Sequence, residues 1–231
     1  MCLYLRTMNL ELSQTEENYL KAIFSLSLTA SKAVSTNAIA EKLETKASSV
    51  TDMVKKLADK KLVDYKKYQG VSLTENGKGI AVRVIRKHRL WEVFLVKHLD
   101  FSWDEVHEIA EQLEHVKSIK LTKELDRFLE YPTHDPHGDP IPDENGNIAH
   151  HTDVMLSSLQ AGSNCVVLGV KDSSKSFLKY LDGLGIKLGS SIKIINIEVF
   201  DNSMKIELGD RIMSISHQIT KNLFVKKELE C

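Results

Sequence analysis

"IAEKLETKASSVTDMVKKLADKKLVDYKKYQGVSLTENG", residues 39–77, changes its periodicity once, and that change decides the fold. Ile39, Ala40 and Leu43 recur at helical spacing, "ETKASS" reads as a short turn, and Val50, Met53, Val54 and Leu57 mark one face of a second helix. Two short helices joined by a tight turn make a helix-turn-helix. After "ADKKL" the period drops to two: Val63 and Tyr65, then Val71 and Leu73, flank a turn at Gln69-Gly70, which signals a hairpin. Another helix opens at Thr74-Glu75, completing the order of a winged helix-turn-helix.

Upstream, Ser13 and Glu16 have capping-box spacing, and Tyr19, Leu20, Ile23, Phe24 and Leu26 predict a helix over about residues 13–28. Ser35 is placed to cap the first helix of the motif, which runs through Leu43. Downstream, a long helix is expected from Glu75 to about His98, a second capped by Ser102 or Asp104 through about Lys117, and a third from about Thr122 to Tyr131. "YPTHDPHGDPIPDENGNIAHH" carries all four prolines and is expected to be a linker. Beyond it "NCVVLGV", "SSIKIINIEVF", "MKIELG" and "DRIMSIS" are short β-rich runs, with one helical stretch, "SSKSFLKYLDGLG", among them. The expected class is mainly α with a small β domain. Its parts are a winged helix-turn-helix over 1–74, a helical domain over 75–131, a Pro/His-rich linker over 132–152 and a small barrel over 153–231.

A chain of 231 residues is long enough for one large or two modest domains with real cores. Cys2, Cys165 and Cys231 are scattered and have no C-x-x-C spacing, so neither a disulfide framework nor a thiolate zinc site is indicated, and a reducing cytoplasm fits best. The leader "MCLYLRT" is too short and too polar for a signal peptide, and no apolar run approaches membrane-spanning length. No membrane partner is expected.

The net charge of −1 hides an uneven distribution. Residues 42–87 hold twelve Lys/Arg against five Asp/Glu, whereas residues 101–130 hold four against eight. In the basic block, the helix with Val50 and Leu57 inward turns Ser48, Ser49, Thr51, Asp52, Lys55 and Lys56 outward, with Lys46 just ahead of it. Hydroxyls, lysines and the free N–H groups of a helix N-terminus suit phosphate and base-edge contacts. Lys66, Lys67 and Tyr68 would sit on the wing and reach the DNA backbone. The plain alternative is a solvated lysine-rich surface.

In the acidic block, at about 100° per residue, setting His107 at zero puts Glu114 near −20°, Glu111 near 40° and His115 near 80°. On the preceding helix His88 and Glu92 are spaced i,i+4 and can chelate together. These residues form either a polar face turned to water or an N/O donor set for a divalent first-row metal, since a shared cation would offset the repulsion between Glu111 and Glu114. Nothing supplies a nucleophile, a phosphate loop or a clamp for a small organic substrate, which weighs against the rival reading as a helical metalloenzyme.

"RKHRLWE", "VHEIAEQLEHV" and "PHGDPIP", together with "TEENYLKAIF" and the stretch quoted first, resemble the diphtheria toxin repressor and manganese transport regulator family across nearly the whole chain. The family-like region begins at Met8, leaving residues 1–7 as a leader ahead of it. The resemblance implies a cytoplasmic homodimeric transcriptional repressor, not an enzyme, with a C-terminal SH3-like domain. It would bind palindromic operator double-stranded DNA when Mn(II) or Fe(II) is bound. It also implies one site at His88, Glu92 and His107, completed from the SH3-like domain by Asp172, and a second at Glu111, Glu114 and His115, completed by Asn18. Iron regulators have cysteine where this chain has Glu111 and methionine where it has Asn18; oxygen in place of sulfur makes Mn(II) the preferred effector, with Fe(II) the alternative. Lys21 stands where compact manganese regulators carry glutamate, so their paired-metal site is not expected. His134, His137, His150 and His151 of the linker are assigned no role.

Overall fold

Helix α1 (Gln14–Ser27) begins at the expected capping box: Ser13 Oγ accepts from Glu16 N at 3.2 Å, and Glu16 Oε2 accepts from Ser13 N at 2.9 Å. The computed structural model describes residues 11–28, 33–66, 69–148 and 154–228. Helix α2 (Thr36–Lys42) is capped by Ser35, whose Oγ accepts from Ala38 N, and α3 (Ala47–Asp59) follows after one turn. Strands β1 (Val63–Lys66) and β2 (Gly70–Leu73) pair antiparallel with Val63 opposite Leu73 and Lys66 opposite Gly70. Val34 extends this wing by exchanging both backbone hydrogen bonds with Val71. The close approach explains Gly70: at φ +99°, a Cβ there would lie 2.9 Å from Val34 O. The core beneath is apolar and closed, with Leu20, Ile23, Ile39, Val50, Val54, Leu57 and Val71 fully buried.

Helix α4 (Glu75–Leu99) is locked to the wing at its start. Thr74 Oγ1 donates to Lys61 O and accepts from Gly77 N, and a Cβ on Gly77 would sit 1.9 Å from Leu62 O. Helix α5 (Val106–Leu113) is shorter at both ends than the sequence suggests. Ser102 spends its hydroxyl on Asp104 and Glu105, so residues 103–105 form a turn, and at the other end Val116 N closes back on Leu113 O. Helix α6 (Ile119–Phe128) is capped by Ser118.

The chain divides into two units by its internal contacts. One comprises Met1–His88, Leu113–Lys117 and Pro142–Asn147, and the other Arg89–Gln112, Ser118–Ile141 and Ile148–Cys231. The second contains a small helical core of Leu90, Val93, Leu125, Leu129 and Ile141. It also holds an antiparallel six-stranded sheet in the order β3-β8-β4-β5-β6-β7: β3 (Val154–Met155), β4 (Asn164–Val170), β5 (Ser191–Ile197), β6 (Met204–Leu208), β7 (Arg211–Ile215) and β8 (Leu223–Lys227). Helix α7 (Lys175–Leu184) and the short α8 (His217–Thr220) interrupt the strands. Strands β3 and β8 escape the sequence reading: β3 has two residues, and in β8 the alternation stops after Leu223 and Val225 at two lysines, yet both of those residues are fully buried. The core includes Cys165, Val167, Leu178, Leu181, Ile192, Ile194 and Ile206. Among the described residues no helix is long and apolar enough to cross a membrane.

Glu16 has a second role beyond its cap. Its carboxylate, 1% exposed, meets Lys60 Nζ at 2.6 Å and Lys56 Nζ at 3.3 Å, fastening α1 to α3. Burial alone would raise its pKa, but the hydrogen bonds from Lys60, from Ser13 N and from Lys56 outweigh it and bring the carboxyl down to about 2. The folded value lies below the ordinary 4.5, so this contribution to stability is complete above that pH and is lost as pH falls toward 2. Glu16→Gln is expected to lower stability by about 1–3 kcal/mol at neutral pH, with the difference from wild type shrinking in acid; urea melts at pH 7 and pH 3 measure it.

Candidate metal centres and nucleic-acid interface

Along α4 the residues Val84, Ile85, His88, Leu90, Glu92, Val93 and Leu95 are buried while Arg86, Lys87, Arg89, Trp91 and Phe94 are half-buried, so His88 and Glu92 lie on the enclosed side of the helix with its apolar residues. His88 and Glu92, one helical turn apart, are 7% and 1% exposed. A carboxylate so enclosed is costly unless it is matched by cations or donors. The polar-surface reading of these residues therefore does not describe them.

In the first unit the matching partners gather around Glu114, which is 0% exposed. Its Oε2 lies 2.5 Å from His88 Nδ1, and Lys21 Nζ donates to both oxygens, at 3.0 and 2.7 Å. His115 Nε2 is 3.7 Å from Glu114 Oε1, while His115 Nδ1 lies 2.5 Å from Glu17 Oε2. Burial pushes the Glu114 pKa up, but His88 and Lys21 win and hold it below the usual carboxylate value. Helix α1 thus presents Glu17 and Lys21, an i,i+4 pair, to this cluster, whereas Asn18 lies about 100° around the helix and is exposed. The wheel that aligned Glu114 and His115 with His107 does not extend to them, because α5 ends at Leu113 and both lie in the turn after it.

In the second unit Glu92 is the hub. Its Oε1 is 3.3 Å from His107 Nδ1 and 3.7 Å from His137 Nδ1, and ligand atoms of Glu92, Asp135 and His137 lie within 4.8 Å of one another. His107, half exposed, also approaches Glu111 at 3.5 Å through Nε2. His137 was expected to be incidental for want of a rigid frame, but the frame is present. Asp135 Oδ1 accepts from the N–H groups of His137 and Asp139, and His137 O accepts from Val170 N. Gly138, at φ +88°, lets the segment lie against β4, where a Cβ would be 2.1 Å from Leu168 O. His137 Nε2 bonds to Trp103 O at 2.7 Å, which leaves Nδ1 facing Glu92. A backbone carbonyl that fixes one ring nitrogen and so aims the other is how metal-binding imidazoles are commonly held. Arg89 meets both Asp135 and Asp139 at 3.4 Å.

Burial would lower the His137 pKa, but Glu92 and Asp135 raise it to about 9, whereas burial together with Glu92 and Asp139 raises that of Asp135. The sequence signal for His137 was its place between Asp135 and Gly138, but its partner Glu92 lies 45 residues earlier in the chain. Asp172 accepts from Ser174 N at 2.9 Å just ahead of α7, a local turn bond of the kind that precedes a helix.

The donor groups in both clusters are imidazole nitrogens and carboxylate oxygens. Cys165, the free thiol among the described residues, is buried in the core of the sheet domain. An N/O set of this kind fits a divalent first-row cation. On α3, Lys46, Ser48, Ser49 and Lys55 are exposed and Thr51 half-buried, its hydroxyl donating to Ala47 O. Lys46 occupies the N-cap without a side-chain cap bond, so the first-turn N–H groups keep no side-chain acceptor there. Lys67 and Tyr68 lie outside the described residues.

Residues 11–71 match the family model described as the N-terminal DNA binding domain of iron dependent repressors, and residues 74–143 the one described as their metal binding and dimerisation domain. Residues 154–227 match the FeoA domain. The chain is 32% identical over 165 residues to the iron-dependent repressor IdeR of Mycobacterium leprae, spanning 68% of this chain and 71% of that protein. It is also 44% identical over 86 residues, 37% of this chain, to a probable metal transport system membrane protein of Chlamydia trachomatis. The chain spans only 19% of that protein's length, and 57% of the IdeR of Mycobacterium bovis. A solved structure described as a manganese-dependent transcriptional repressor in complex with manganese superposes with a TM-score of 0.80 at 31% identity, covering 92% of this chain and 100% of that one. Gly138→Ala is expected to cost roughly 2–4 kcal/mol, since it adds both a backbone clash and an unfavourable φ; thermal melting reads the loss.

Proposed function

Since the chain belongs to the family of iron-dependent, metal-dependent transcriptional repressors, we propose that it is a Mn(II)-responsive repressor that grips palindromic operator DNA as a homodimer. The observation that carries this reading is Glu92: a carboxylate with 1% exposure, met by His107 and His137 and one turn from His88. The family resemblance assigns one metal position to His88, Glu92 and His107, with Asp172 as the expected donor from the SH3-like domain; within the second unit Asp135 and His137 stand beside Glu92 as further donors. The other is formed by Glu114 and His115 with Glu17, to which the family resemblance adds Glu111 and Asn18. When bound, a divalent cation supplies the positive charge and the coordination bonds that cross-link the residues around it. Oxygen and nitrogen donors without sulfur favour Mn(II); Fe(II) accepts the same set and is the alternative, in keeping with relatives named iron-dependent. The family is one of repressors, and the metalloenzyme reading finds no support in it.

The coupling to DNA runs through α1. Glu17 and Lys21 of this helix face His115 and Glu114, and Glu16, the residue beside Glu17, holds Lys60 at the end of α3. Holding α1 against the Glu114 cluster therefore bears on the helix whose exposed Lys46, Ser48, Ser49 and Lys55 are positioned for phosphate and base edges, with Thr51, Lys67 and Tyr68 as the remaining expected contacts. By linkage, metal and DNA strengthen each other by the same factor, typically about 5–150-fold. Dimerisation uses the apolar surface left open by the helical domain, where Ile119 is 76% and Phe128 59% exposed.

Duplexes selected from a random pool in the presence of Mn(II) are expected to be palindromic and to bind about tenfold or more tightly with Mn(II) than without, in anaerobic titrations run alongside Fe(II), Co(II) and Zn(II). Glu92→Ala is expected to remove that gain, and an affinity indifferent to every metal would overturn the reading. Because raised-pKa His137 must release its proton to take a metal, metal affinity is expected to rise between pH 6 and pH 9, with proton uptake by the buffer visible in the calorimetric heat. Phe128→Glu is expected to shift the protein to monomer in sedimentation and to weaken operator binding.

A further inference from the structure

Glu114 already has a cation. Its carboxylate is fully buried, and Lys21 Nζ contacts both of its oxygens, at 3.0 and 2.7 Å, while His88 Nδ1 takes Oε2 at 2.5 Å. The two sides of this ion pair are not equally fixed. The Glu114 side chain is 0% exposed, whereas that of Lys21 is 20% exposed at the end of four rotatable methylenes, from which an ammonium rehydrates readily. The anion is anchored and the cation is hinged.

We propose that Lys21 is a resident counter-ion that competes with the divalent cation for Glu114, so that the metal binds this cluster by displacing the ammonium. The inference rests on the metal reading of the Glu114 and His115 cluster. A buried carboxylate left without a partner is costly, so Lys21 stabilises the metal-free fold. The same ammonium repels an approaching divalent ion and occupies the lone pairs it needs, which raises the metal concentration at which the site fills. Lys87, whose Nζ reaches Val116 O at 3.5 Å, adds positive charge to the same side. Glu17, one turn before Lys21 on α1, is engaged with His115 and stays available as a donor when Lys21 leaves. A lysine that merely orients Glu114 for the metal would act in the opposite direction: its removal would weaken metal binding.

The sign of the effect is the test. In full-length protein carrying Glu92→Gln, which silences the other cluster, Mn(II) affinity is measured by electron paramagnetic resonance of the free ion, and the melting temperature is measured without metal. Lys21→Met, which keeps the aliphatic stem, is expected to tighten Mn(II) binding by about tenfold while lowering the metal-free melting temperature. Lys21→Arg, which keeps the charge, is expected to stay close to the Lys21 protein in both. Unchanged or weaker Mn(II) binding by Lys21→Met overturns the proposal alone. If Glu114→Gln in the same background removes no Mn(II) site, the metal reading of this cluster fails and the proposal with it.

Discussion

A carboxylate sealed from water must be answered by positive charge, and in the two candidate metal clusters that requirement falls on Glu92 and Glu114. Neither residue could be tolerated where it sits without imidazole or ammonium groups brought to it from elsewhere in the chain. For Glu114 those groups come from α4 and α1; for Glu92 they come from α5 and from the segment after α6. Each buried acid therefore acts as a clamp across elements distant in sequence.

Helix α1 links the Glu114 cluster to α3 and its C-cap. Three of its residues face three different tasks: Glu16 is fastened to Lys56 of α3 and to its C-cap Lys60, Glu17 to His115 and Lys21 to Glu114. Adjacent glutamates on a helix point about 100° apart, which lets one bind α3 and its C-cap while its neighbour binds the cluster. Helix α3 itself contributes an N-terminus without a side-chain cap and a hydroxyl- and lysine-bearing outer face. Its inner face, with Val50, Val54 and Leu57, is fully buried, so repositioning α1 cannot be absorbed by loose packing in between.

Residues 135–139 of the segment rich in proline and histidine are fixed by their own hydrogen bonds and by a close backbone approach. Asp135 folds it around two of its own N–H groups, Gly138 lets it touch β4, and His137 O is bonded into Val170 N. The imidazole of His137 is consequently aimed, with Nε2 committed to Trp103 O and Nδ1 turned to Glu92. Proline content marks where regular structure stops; it does not say whether the chain there is packed.

The local signals in the sequence were sufficient for the winged helix-turn-helix: capping at Ser13 and Ser35, the change of period at Val63 and the turn at Gly70 are all short-range features, and the structure has each in place. The same holds for α7 and for strands β4 to β7. His88 and Glu92 were legible because four residues span one helical turn. Tertiary structure alone decided that these groups are buried, that α5 stops before Glu114, that Glu17 and Lys21 rather than Asn18 face the cluster, and that His137 joins Glu92. A helical wheel gives the direction of a side chain about its own axis, but burial and pairing depend on what the rest of the chain lays against that face, and those partners lie as many as 98 residues away.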